Sequence, residues 1–133
     1  MERLVERLDD AKRSLVTLTE ALALEAPSPL ERDGAIQRFE YTFEALWKLG
    51  QRYLYVVEAL QANSPNGVFR NLALAGLLSQ EETSLALAMA QDRNLTVHTY
   101  LEPLAVRIHG NLPLYRGLME VLLERIEAAL ARS

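Results

Sequence analysis

Between Asp92 and Tyr100 the chain reads Asp-Arg-Asn-Leu-Thr-Val-His-Thr-Tyr, which brings a guanidinium, an imidazole and a phenol within a few residues. The guanidinium of Arg93 suits a phosphodiester, which it can hold in bidentate fashion while offsetting developing negative charge. The imidazole of His98 suits proton transfer near neutral pH. Metal-independent RNA cleavage needs little else. The ribose 2'-hydroxyl is the nucleophile, so the protein has only to position the phosphate, move protons and stabilise the charged transition state. Each residue also has a plainer reading. His98 alone reads as a structural histidine hydrogen-bonded at a helix end, Asn94 as a helix terminator, and Tyr100 as a residue that packs its ring and wets its hydroxyl.

The spacing constrains the backbone. Five residues on an unbroken helix rotate by ~140° and would point Arg93 and His98 to different faces, so a break between them is expected. Asn94, Thr96 and Val97 are middling helix formers, and Thr99-Tyr100-Leu101-Glu102 has capping-box spacing. Pro103 leaves the next helix start open between Thr99 and Glu102. Either start puts His98 and Tyr100 near a helix N-terminus, whose free amides and positive dipole end suit a phosphate.

The elements that must position these residues are helical throughout. Leu4, Leu8, Ala11, Leu15, Leu18 and Leu22 lay one apolar seam along a first helix, ended by Ala26-Pro27-Ser28-Pro29. A second helix, about Leu30 to Gln61, carries Ile36, Phe39, Phe43, Leu46, Trp47, Leu54 and Val57 on one side. Glu40, Glu44 and Lys48 follow each other at i,i+4 spacing elsewhere on it. The Phe39, Phe43, Trp47 stripe reads as core. Asn63-Ser64-Pro65 starts a short helix closed by Gly76, and Ser79 to Glu82 is a capping box opening a helix towards Arg93. His109-Gly110-Asn111 reads as a connection and Pro113 as the start of a last helix, with Leu114, Leu118, Val121, Leu122, Ile126 and Leu130 on its seam. The predicted fold is all-α: an antiparallel up-and-down four-helix bundle with an additional short helix, one domain over residues 1–133.

Composition excludes several classes. Cysteine is absent, which removes disulfides, thiolate metal sites and a cysteine nucleophile. His109 has no metal-like companion, and no metal or cofactor is expected. The charged N-terminus and the short apolar runs predict a soluble, cytoplasmic protein with no membrane role. A net charge of -4 argues against a broad phosphate-binding surface, and DNA is not expected as a partner. The phosphate-cradling and nucleophile-elbow motifs of nucleotidyltransferases and hydrolases are also missing.

Arg93-x4-His98-x-Tyr100, with Arg38 to Lys48 before it and Asn63-Ser64-Pro65 followed by Ala75-Gly76-Leu77, resembles HEPN domains. The likeness is to the toxin-type partners of minimal nucleotidyltransferases and spans roughly residues 30 to 110. It implies an endoribonuclease toxin acting on RNA, with Arg93 on the scissile phosphate, His98 shuttling protons and Asn94 supporting the site. It also implies a minimal nucleotidyltransferase antitoxin as partner, adenylylation at Tyr100, and a homodimer whose cleft carries one motif from each chain. Leu101-Glu102-Pro103-Leu104 departs from the family pattern, where a more acidic run is usual. A non-catalytic subunit presenting substrate or nucleotide to the transferase is the alternative, and a structural dimerisation module is the third. These divide on whether Arg93 and His98 converge on an open cleft or are spent on internal bonds.

Overall fold

A computed structural model describes residues 1–133 and contains helices only. They are α1 (Glu2–Leu22), α2 (Pro29–Val57), α3 (Pro65–Leu74), α4 (Gln80–Leu95) and α5 (Glu102–Arg132), with a 3-10 turn at Thr96–His98. The long helices alternate in direction. Thr17 of α1 meets Tyr41 of α2 at 2.5 Å, while Arg3 and Arg7 line a cavity with Lys48 and Arg52. Asp92 of α4 reaches Arg107, Asn111 and Tyr115 of α5, while Glu82 reaches Arg125. This is the antiparallel four-helix bundle with an added short helix.

Local signals account for most boundaries. Ser28 and Ser79 each form a full capping box, with Glu31 and Glu82 respectively, and Ser64 caps α3 through Gly67 N ahead of Pro65. Gly76 leaves α3 with φ +86, a conformation glycine adopts without strain. The second helix ends earlier than Gln61. Ala59 takes φ 56, and Leu60 N bonds back to Leu54 O at 2.9 Å, turning the chain out of α2 at Glu58.

The last helix corrects two expectations. Pro113 does not begin it; Pro113 lies inside α5, and His109, Gly110 and Asn111 are helical rather than a connection. A proline in a helix interior costs ~3 kcal/mol or more, yet Ala105, Ile108, Leu112 and Tyr115 form one buried row across it. Burying two or three such side chains, each contributing ~1.5–3 kcal/mol, outweighs the missing bond. Leu114 falls off this row and is 60 % exposed. The start open between Thr99 and Glu102 resolves to Glu102, with Pro103 in the first turn. Thr99 does not cap: its hydroxyl donates to Thr96 O at 3.0 Å.

One apolar core runs from Leu4 to Ala129. Phe39 and Phe43 are fully buried in it, and Trp47 packs against its edge with Nε1 donating to Glu44 at 3.0 Å. Phe39 stacks on Tyr115 and Phe43 meets Phe69 edge-on, tying α2 to α5 and to α3. No helix is long and apolar enough to cross a membrane.

Candidate functional site

The break foreseen between Arg93 and His98 is present, since α4 stops at Leu95 and the 3-10 turn follows. Thr96 holds that junction. It is buried, and its hydroxyl donates to Arg93 O at 2.7 Å or to Glu40 Oε2 at 2.9 Å, while accepting from Arg93 Nη1 at 3.1 Å.

Arg93 itself turns into the bundle. Nη1 lies 3.3 Å from Glu40 Oε2 and Nε lies 3.6 Å from Glu44 Oε1. The i,i+4 pair on α2 therefore holds this guanidinium by charge alone: its one side-chain hydrogen bond goes to Thr96, and Nε is buried without a hydrogen-bond acceptor. Nothing local announces a partner fifty residues away.

Asp92 anchors the other side of the same turn. It is 4 % exposed and accepts from Arg107 Nη2 at 3.0 Å, Asn111 Nδ2 at 3.2 Å and Tyr115 Oη at 2.6 Å. Burial, and then the Asp92 carboxylate, push the Tyr115 phenol up, so it stays protonated and donates. Sequence reasoning passed over these residues. Arg107, Asn111 and Tyr115 recur every four residues, a polar row that only an unbroken α5 makes visible.

His98 and Tyr100 lie outside, beside the N-terminus of α5. His98 is exposed and Tyr100 is 77 % exposed; Nδ1 and Oη are 3.4 Å apart, with the rings edge to face at 5.9 Å. Asn94 is exposed on the last turn of α4. The fold thus pairs His98 with Tyr100 and pairs Arg93 with Glu40 and Glu44. No hydrogen bond joins the two groups. His109 sits apart on α5, its pKa pushed down by burial and then by Arg32, and no three His, Asp or Glu side chains converge as a metal site would require.

The sequence matches a known family. Residues 6–128 match the model of the proteins described as nucleotidyltransferase substrate binding protein like. The chain belongs to that family. Among solved structures it is similar to a Thermus thermophilus protein, with 57 % identity and a TM-score of 0.85, over 87 % of this chain and 98 % of that one. A Haemophilus influenzae protein, described as revealing the fold of a substrate binding domain of a nucleotidyltransferase, aligns over 95 % of this chain and 98 % of its own. At 22 % identity and a TM-score of 0.66 that likeness shows the shared bundle fold. No curated protein matches.

Proposed function

We propose that this family member acts as the non-catalytic binding subunit of a two-component nucleotidyltransferase, presenting substrate or nucleotide to the catalytic chain. Family membership across residues 6–128 carries this reading. Two features support it. Arg93 is occupied by two carboxylates and Thr96 instead of standing open to a phosphodiester. Around the motif, Val97, Tyr100, Leu101 and Val106 are 66, 77, 51 and 54 % exposed, a concentration of apolar surface suited to a protein partner.

The test is co-expression with a nucleotidyltransferase encoded beside this chain. The expected result is a complex that survives gel filtration and is lost in a Val97→Glu, Leu101→Glu variant. The purified chain should leave RNA intact. A transferase that never co-elutes with the wild-type chain removes this reading.

The exposed His98 and Tyr100 pair favours a second reading, the endoribonuclease toxin of a HEPN module. Arg93 would have to exchange Glu40 and Glu44 for the RNA phosphate, and a homodimer would bring two motifs to one cleft. His98 would take the 2'-hydroxyl proton and return one to the departing 5'-oxygen. Tyr100 would be the brake: its phenolic oxygen attacks the α-phosphate of ATP, pyrophosphate leaves, and AMP stays attached. The magnesium for that step belongs to the transferase. Chelator-resistant RNA cleavage, lost by ~10²-fold or more in His98→Ala and Arg93→Ala, establishes this reading over the first. Intact mass after incubation with transferase and ATP tests Tyr100, with Tyr100→Phe as the control.

A further inference from the structure

Arg3 and Arg7, one turn apart on α1, and Lys48 and Arg52, one turn apart on α2, line a cavity of about 310 Å³ near the segment that leads into α3. No carboxylate lines it. Seven of the chain's 14 Lys and Arg side chains are ion-paired, and four of the remaining seven converge here. In a chain of net charge -4 this is a local reversal of sign.

The nearest acid on α2 is already engaged. Glu44, one turn before Lys48, is held by Arg93 and by the Trp47 indole, so it does not neutralise Lys48. Arg52 is fixed over the Tyr55 ring at 5.7 Å, and its Nε is buried with no hydrogen-bond acceptor. A buried donor left unpaired is costly, and four like charges gathered without a counter-charge repel one another. Both costs are relieved by one polyanion. Gln51 stiffens the wall by donating to Ala62 O at 2.6 Å, which ties the segment after α2 back onto that helix.

We propose that this cavity binds the di- or triphosphate end of a nucleotide. Arginine forks and the lysine ammonium match phosphate oxygens. The volume is at the lower end of the ~300–1,000 Å³ usual for ligand sites, which suits a phosphate chain with the nucleoside lying outside. Tyr55, 59 % exposed, offers the base a ring at the mouth. Lys48 is one turn of α2 beyond Glu44, so the bound phosphates would lie within ~5–15 Å along the helix of the Arg93 cluster. The anion site stands on these residues alone; only a nucleotide as its occupant rests on the binding-subunit reading.

Isothermal titration of the full chain with pyrophosphate, ATP and adenosine tests it, at low and physiological salt. Pyrophosphate and ATP should bind, more weakly as salt rises, and adenosine should not. The Lys48→Gln, Arg52→Gln double variant should lose about tenfold or more in affinity for both, while Arg70→Gln, an exposed cation outside the cavity, should be unchanged. Circular dichroism checks the fold, and Arg3→Gln, Arg7→Gln serves if the first double variant does not fold. The proposal is overturned by absent binding, by undiminished binding in the double variants, or by an equal loss in Arg70→Gln. Pyrophosphate binding without ATP binding overturns the nucleotide. Anion binding that persists where the transferase fails to co-elute removes the partner reading alone.

Discussion

Asp92 and Arg93 are adjacent in sequence, yet one is committed to α5 and the other to α2. Their bonds differ in what removal leaves behind. Asp92→Ala strands the buried Tyr115 hydroxyl, and two more donors, from Arg107 and Asn111, lose their acceptor. Breaking a buried, charge-assisted cluster from one side costs about 3 kcal/mol, so urea unfolding should show a loss of that order. Asp92→Asn keeps one acceptor oxygen and should lose less. Equal stabilities for wild type and Asp92→Ala would mean the cluster contributes nothing to the fold. His98 and Tyr100 have no such commitments, and replacing either should leave the unfolding midpoint nearly unmoved. That contrast separates residues that hold the motif from residues free to act.

Helix α4 enters the bundle through Glu82, which serves two elements at once. Its carboxylate accepts from Arg125 of α5 at 2.6 Å and from the Ser79 backbone at 2.8 Å. The Arg125 bond chiefly, then the Ser79 backbone bond, lower its pKa from the ordinary 4.5 to about 2. A carboxylate depressed in the folded state stabilises fully above its unfolded pKa and loses that contribution as pH falls through the folded one. Glu82 should therefore support the fold above pH 4.5 and cease to do so as pH drops towards 2. Acid titration of stability should be shallower over this window in Glu82→Gln than in wild type; parallel curves would rule out this role. Helix α3 is placed by a different device. A Cβ on Gly50 would sit 2.9 Å from Val68 Cγ1 and 3.2 Å from Leu72 Cδ1, so α2 and α3 approach only because no side chain intervenes. Gly50→Val should cost about 1–3 kcal/mol by overpacking, read as a lowered urea midpoint.

At the scale of the molecule, charge and apolar surface are segregated. Cations without partners gather between α1 and α2, while exposed apolar groups gather around Val97 to Val106. A groove between α1 and α5 adds a third surface, with Leu15, Val16, Ala23 and Leu123 on its walls and the Lys12 to Glu127 ion pair at its rim. If the chain pairs with itself as the two-motif cleft requires, light scattering at micromolar concentration should return twice the chain mass. A monomer at all concentrations would eliminate the shared cleft while leaving the binding-subunit reading intact.

Apolar periodicity, the Ser64 and Ser79 caps, Gly76 and the Arg93 to His98 spacing were enough to specify an all-helical bundle, its short helix and a break inside the motif. These are local properties, written in residues three or four apart. Tertiary structure decided the rest. Pro113 signals a helix start by itself, but the buried row from Ala105 to Tyr115 carries α5 straight through it. Glu40 and Glu44 look like a solvated surface row until antiparallel packing sets α4 beside α2 and brings Arg93 against them. Four cations from residues 3, 7, 48 and 52 share a cavity only because α1 and α2 run in opposite directions. Local signals decide where a helix starts and stops, whereas pairings across long sequence separations exist only once the core has fixed which faces meet.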